Sequence, residues 1–320
     1  MPFLQLYPMS LITKMSFFEN GLRTTVMTTE LLIESNVSKK TLFECLDIAK
    51  KFEQKYSAYD EGSLLSQINK ASGIKSIRCE YKELEIFQKA LELARMSNGS
   101  FDPTIGVLTQ GLYGFGTKNE KIPTSIELLK TRKLVNYKYL HIHNNEIFLT
   151  HTGMKLDLGG IGKGYVADKI MEHLQRMGAT KAIVSVGGEV CSFGKKYNIA
   201  IKNPFKDGNI GLIKTSKEAL CISTSGDYER FIKSKEHHHI LDKESAKPNH
   251  YYSSVTIIKN GMDTTTLDGI ATVVFNSNRS KLKEMAQRFN VAVVAISRDK
   301  EILFENFSDI NIESFEVYPF

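Results

Sequence analysis

The chain has 320 residues, 42% hydrophobic and 24% charged, with a formal net charge of +6. That composition describes an ordinary globular protein with room for a sizeable core and excludes a disordered or fibrous chain. No dense Lys/Arg run or aromatic-basic motif accompanies the positive charge, so a nucleic-acid partner is not expected.

From the N-terminus, "MPFLQLYPMSLITKMSFF" is apolar but broken by Pro8 and Lys14. It lacks the basic start and unbroken apolar centre of a signal peptide and is too interrupted for a transmembrane helix. Residues 1–19 therefore read as an extension, with Met9 and Met15 as alternative starts. Residues 20–320 read as one domain, because no low-complexity linker or repeat divides them. "LRTTVMTTELLIES" (22–35) is rich in β-branched residues and predicts a long strand, with one arm of a hairpin as the alternative. Ser38 then offers an N-cap to a helix in which Leu42, Cys45, Leu46, Ala49 and Phe52 recur at helical spacing. A second helix is expected over 80–97, with Gly99 as its stop. "YLHIHNNEIFLT" predicts a hairpin around Asn144-Asn145.

"YVADKIMEHLQRMG" predicts a helix ending at Gly178, and "KAIVSVGGEV" a buried strand and turn. "YNIAIKNP", "ALCISTSG", "SVTIIKNG" and "VAVVAIS" predict further strands. "TLDGIATVVFNS" and "RSKLKEMAQRFN" predict helices. The expected fold class is α+β, a mixed and largely antiparallel sheet with inserted helices. The four cysteines, at 45, 79, 191 and 221, form no C-x-x-C pair. They read as buried thiols, with neither a zinc knuckle nor a disulfide framework.

Chemistry concentrates in a few short stretches. "DLGGIGKGYVAD" (157–168) opens a helix with four glycines and Lys163. It is no Walker A loop, because Asp157 stands where the first glycine belongs and Gly164 replaces the Ser/Thr. It also misses the dinucleotide fingerprint by one residue. Two readings stay open: an anion site built from backbone N–H groups and a lysine, or a tight turn with a surface lysine. Asp157 is either a turn former or an acceptor for a ligand's N–H groups. In "LDGIATVVF" (267–275), Asp268 and Thr272 share a helix face. They offer hard oxygen donors for Mg²⁺ or Ca²⁺, or Asp268 merely complements the helix dipole. In "HHHILD" (237–242), a strand would put His237 and His239 on one face, either as a base near neutrality or as a polar edge. "SFDPTIG" (100–106), "GLYGFG" (111–116) and "TSGDYERF" (224–231) add turn and ring signals.

Taken together, "YSAYDEGSLLSQIN", "SFDPTIGVL", "LYGFG", "LDLGGIGKGYVADKI", "IVSVGGEV", "ISTSGDYERF", "HHILD" and "LDGIATVVF" resemble the ApbE family of FAD:protein FMN transferases, in the family's order and over roughly residues 20–305. The resemblance implies an ApbE-like, T-fold-related architecture. It implies a Mg²⁺-dependent reaction that splits FAD, releases AMP and attaches FMN to a Thr or Ser hydroxyl of a target flavoprotein. It further implies His239 as the base activating that hydroxyl. Gly160, Asp268, Ala271 and Thr272 would then stand around the metal. Leu22, Tyr59, Tyr113, Gly114, Phe115, Asp157, Lys163, Ser225, Glu229, Arg230 and Ile240 would line the FAD site. Two alternatives use the same residues: a Mg²⁺-dependent FAD pyrophosphatase, and a non-catalytic FAD-binding or storage protein. Several features depart from the family. Leu22-Arg23-Thr24 stands for Met-Gly-Thr, "HILDKESAKPNH" lacks the usual Pro and Thr-Gly-x-Pro turn, and no lipobox cysteine is present. Without a signal peptide the expected compartment is the cytoplasm. The family's exported members suggest instead the periplasmic side of the inner membrane, with peripheral association. Oligomeric state stays open.

Overall fold

The computed structural model describes residues 15–18 and 20–320. Strand β1 (Ser16–Phe18) pairs with β2 (Gly21–Val26), which turns back into β3 (Thr29–Ser35). The stretch 22–35, expected as one long strand or one arm of a hairpin, thus holds both arms. Met27 and Thr28 reverse it at φ of 48° and 61°, a conformation that neither residue type advertises. The sheet also starts before residue 20, inside the stretch expected to be an extension; the rest of that stretch lies outside the described residues.

Helix α1 (Lys39–Tyr56) begins where Ser38 Oγ accepts from Thr41 N–H, as its sequence predicts. It is followed by α2 (Leu64–Lys70), β4 (Ile77–Arg78) and α3 (Tyr81–Met96), the last held by a capping box between Glu80 and Glu83. Helix α3 stops at Asn98 and Gly99, both with positive φ. A short α4 (Gly106–Leu108) runs into a π-type turn, Thr109–Tyr113, that ends on left-handed Gly114. Then come α5 (Ser125–Thr131) and the hairpin β5 (Leu140–His143) and β6 (Glu146–Leu149), turned at Asn144-Asn145 as expected. Helix α6 (Gly162–Arg176) leads to β7 (Ala182–Val186), β8 (Glu189–Phe193), β9 (Asn198–Lys202), β10 (Asn209–Thr215) and β11 (Leu220–Gly226). The short β12 (Leu241–Asp242) and β13 (Lys247–Pro248) precede β14 (Tyr252–Asn260) and α7 (Thr264–Phe275). The chain closes with α8 (Leu282–Phe289), β15 (Ala292–Ser297), β16 (Ile302–Glu305) and β17 (Ile312–Val317).

Nine strands form one sheet in the order β1-β2-β3-β7-β8-β11-β14-β15-β16, and every neighbouring pair is antiparallel. Alternation along each strand divides the core in two. Val184, Cys191, Cys221, Val255 and Ile257 pack under helices α1, α3, α6, α7 and α8. Their sequence neighbours Ile183, Val190, Ile222 and Ile258 face the small sheet β17-β10-β9. This is the α+β, largely antiparallel architecture that the segment pattern predicts. Helices on one face and a second sheet on the other leave the α6 and α7 starts at the sheet's end, where the glycine-rich turn lies.

Candidate functional site

The site begins at the crossing of α6 and α7. A Cβ on Gly164 would fall 2.3 Å from the Thr264 carbonyl oxygen, so only glycine lets the helices approach this closely. From α6, Asp168 accepts from the N–H groups of Thr264 and Thr265, both at 2.8 Å, and thereby holds the first turn of α7. On the far side, a Cβ on Gly269 would run into Leu93 of α3. These contacts fix the face of α7 that carries Asp268 and Thr272.

That crossing holds a buried charge cluster. Lys163 pairs with Glu189 at the start of β8, and its Nζ lies 3.6 Å from Asp268 Oδ1. Asp268 Oδ2 accepts from Gly164 N–H at 3.0 Å. Burial opposes the lysine's charge, but the two carboxylates outweigh it and hold its pKa above the ordinary range. Burial and the neighbouring Asp268 push the Glu189 carboxyl up to about 7, against the pull of Lys163. Glu189 is fully buried, and its Oε2 has no hydrogen-bond partner.

The glycine-rich turn arrives beside this cluster. Asp157 Oδ1 accepts from Gly159 N–H at 2.8 Å and Oδ2 from the Thr109 hydroxyl at 2.5 Å. Asp157 thus forms the turn. Gly160 sits against Thr272: a Cβ there would lie 3.7 Å from Thr272 Oγ1 and 3.2 Å from the Phe101 ring. The spacing argument for Asp268 and Thr272 and the motif argument for Gly160 thus converge on one place. Ala271, fully buried between them, supplies no side-chain donor.

The histidine run is not a strand. Lys235–His237 forms a 3₁₀ turn, and only His238 bridges Phe231. The expected sharing of a face by His237 and His239 fails, because period 2 applies only to extended chain. His238 is fully buried, with Nε2 at 2.8 Å from the Asn249 carbonyl. His239 is half-buried, and its Nδ1 lies 3.0 Å from the Arg230 carbonyl oxygen. A carbonyl only accepts, so Nδ1 carries the proton and Nε2 keeps its lone pair. Burial, and then the Arg230 charge, push the His239 pKa down to about 3; Lys163 adds to the depression. The Arg230 guanidinium donates to Tyr59 Oη at 2.9 Å, and Tyr59 in turn donates to the Phe115 carbonyl at 3.0 Å. Tyr59, Phe115, Arg230 and His239 therefore form one connected rim, and Tyr59 is half-exposed.

Other expected FAD-lining residues are placed differently. Leu22 is fully buried in the helical core on β2 and presents no surface to a ligand. Tyr113 and Phe115 stack on each other at 5.1 Å, and Tyr113 Oη donates to the Ala246 carbonyl. Their rings fill a small satellite core, so this segment offers a ligand its backbone, with Gly114 and Gly116 at positive φ. Ile240 is buried directly after His239. Ser225 lies on the last turn-ward stretch of β11, and Glu229 points toward solvent with Lys202 4.0 Å away. Sequence reasoning missed Glu189, Asp168 and Thr109. Each sits inside or beside a quoted motif, but only the fold brings it to its partner.

Among the described residues no group of three or more His, Cys, Asp and Glu side chains is arranged to hold a metal ion. The donors here are of another kind: one carboxylate, one hydroxyl and the backbone of Gly160. Mg²⁺ binds through one or two carboxylates and completes its shell with water and substrate phosphates. One lysine faces two buried carboxylates, and one carboxylate oxygen is unpartnered. The hard oxygen donors of Asp268, Thr272 and the Gly160 backbone suit a divalent cation.

The architecture and this site define a class before they define a reaction. The sequence pattern of the ApbE family matches residues 24–295. The chain belongs to the ApbE family. A FAD:protein FMN transferase of Klebsiella pneumoniae is 27% identical over 267 residues, 81% of this chain and 83% of that protein. The FAD:protein FMN transferase of Haemophilus influenzae is 28% identical over 282 residues, 82% of this chain and 79% of that protein. Among solved structures, the ApbE protein of Thermotoga maritima is 26% identical with a TM-score of 0.80, covering 89% of this chain and 96% of that one. The Vibrio cholerae flavin transferase ApbE, at 24% identity and a TM-score of 0.79, shares the fold.

Proposed function

We propose that the protein is an FAD:protein FMN transferase, which moves FMN from FAD to a Thr or Ser hydroxyl of a flavoprotein and releases AMP. The observation that carries this reading is the oriented His239. Its Nδ1–H is engaged by the Arg230 carbonyl, so Nε2 is left as a lone pair on the rim of a site that holds Lys163. A binding or storage protein has no use for such a base.

The residues divide the work. Lys163, in the first turn of α6 at the positive end of its dipole, receives the diphosphate of FAD. Asp268, Thr272 and the Gly160 carbonyl would hold Mg²⁺, which supplies Lewis-acid neutralisation of phosphate charge. Tyr59, locked by Arg230 and Phe115, shapes the flavin side. His239 Nε2 takes the proton of the acceptor hydroxyl, whose oxygen attacks the FMN phosphorus as the bond to AMP breaks. A bound diphosphate opposes the Arg230 and Lys163 charges and so raises the His239 pKa. Lys163 stays charged throughout, because Glu189 and Asp268 stabilise its ammonium.

The test is incubation with FAD, Mg²⁺ and a target flavoprotein domain. In-gel flavin fluorescence on the target with AMP released in step is expected. AMP and free FMN without labelling would identify a pyrophosphatase, and tight FAD binding without AMP a storage protein; either overturns the proposal.

A further inference from the structure

Strands β8 and β11 are neighbours, and their register sets Cys191 directly opposite Cys221. The ladder also shows which kind of pair this is. Thr224 N–H donates to the Gly188 carbonyl at 3.1 Å, so positions 224 and 188 form a hydrogen-bonded pair. In an antiparallel ladder hydrogen-bonded and non-hydrogen-bonded pairs alternate. Along the register, Ser223 and Glu189 are therefore non-hydrogen-bonded, Ile222 and Val190 hydrogen-bonded, and Cys221 and Cys191 again non-hydrogen-bonded. At such positions facing Cα atoms lie about 4.5 Å apart, with side chains at their closest. A disulfide needs Cα atoms roughly 4.4–6.8 Å apart. Both residues are thiols in this structure, and both are buried on the helical face of the sheet. Their sulfurs are in contact at 2.7 Å. The four cysteines are buried as expected, and the sheet sets side by side two that 30 residues of sequence separate.

We propose that Cys191 and Cys221 are a cross-linking site, which closes to a disulfide when the chain folds in thiol-oxidising surroundings. The two thiols lose two protons and two electrons, and one S–S bond forms. The oxidant is a small disulfide such as oxidised glutathione, which leaves as two thiols. Exchange takes place on the folding chain, because in the folded protein neither sulfur reaches solvent. The mutual contact and burial also hold the Cys191 thiol well above its ordinary pKa, so little reactive thiolate exists once the sheet has closed. The redox state is therefore set at folding and sealed afterwards.

The place of the bond gives it a role. Cys221 Sγ accepts from the Thr264 hydroxyl at 3.2 Å, and Thr264 opens α7, the helix of Asp268 and Thr272. Cys191 is two residues from Glu189 on the same strand face. The cross-link would join β8 and β11 under the charge cluster without occupying it, so a stiffer frame is expected and no change of chemistry.

The test is oxidative refolding of the full chain. Reduced, denatured protein is refolded with a reduced/oxidised glutathione couple or with reductant alone, and free thiols are then titrated under denaturing conditions. Two of the four thiols should be lost on oxidative refolding. A non-reducing peptide map should link the Cys191 and Cys221 peptides and leave Cys45 and Cys79 free. The oxidised protein should melt roughly 5–10 °C above the reduced form, as expected for closing a loop of about 30 residues. The C191A/C221A double variant should show no such difference. Four remaining thiols, or a link through Cys45 or Cys79, would overturn the proposal; that thiol count is made on the unsubstituted protein and does not depend on the variant folding.

Discussion

Adjacent side chains in one histidine run take opposite environments. His239 reaches the rim, while His238 is enclosed, edge-on to Phe275 at 5.6 Å and to His250 at 5.9 Å. Burial pushes the His238 pKa down to about 4, from an ordinary 6.5. The folded state thus binds fewer protons than the unfolded one between these values. The stability from neutral His238 is complete above about pH 6.5 and is lost as pH falls toward 4, on the order of 3 kcal/mol. Denaturant titrations across that window should show this decline. His238→Gln, which retains a donor for the Asn249 carbonyl, should flatten it, and an unchanged slope would contradict the assignment. Residue-level chemistry was partly legible in the sequence. Asp268 and Thr272 share a face by helical spacing alone. Glu189 was not legible, because nothing local in a strand start shows that a lysine 26 positions earlier will reach it. The expected flavin-lining role of Leu22 failed because its strand turns that side chain into the core.

At the scale of elements, the site depends on how closely α6 and α7 cross. Gly164→Ala places a methyl carbon against the Thr264 backbone, and that backbone is tied to Asp168 and has little room to retreat. A loss of about 2–4 kcal/mol is expected, together with weaker FAD binding, since Lys163 and Asp268 move apart. Chemical denaturation and flavin fluorescence titration measure the two effects; wild-type values for both would refute the packing argument. Most elements could be read from periodicity and caps: Ser38, the Asn144-Asn145 turn and Gly178 all act as expected. Two segments were hard to read from local signals. Met27-Thr28 turns a hairpin without turn residues, and the histidine run looks extended but folds into a 3₁₀ turn.

For the whole molecule, the two cores lie on opposite faces of the same strands, as with Cys221 and Ile222 on β11. Neither core can melt while the other keeps those strands in place. Far-ultraviolet and near-ultraviolet circular dichroism should therefore give one coincident unfolding transition, and two separated transitions would contradict a single domain. No helix among the described residues is long and apolar enough to cross a membrane. The antiparallel class was legible from the segment pattern, but the strand order was not, since three of the eight neighbouring pairs in the large sheet, β3 with β7, β8 with β11 and β11 with β14, join strands that are not consecutive in the chain. The central claim is that this frame presents His239 as the base of an FMN transfer. It is tested most directly by His239→Ala, assayed with FAD, Mg²⁺ and a target flavoprotein. Labelling and AMP release should fall together by at least about a hundredfold, the range of general-base catalysis, while FAD binding persists. Labelling at the wild-type rate would contradict the account.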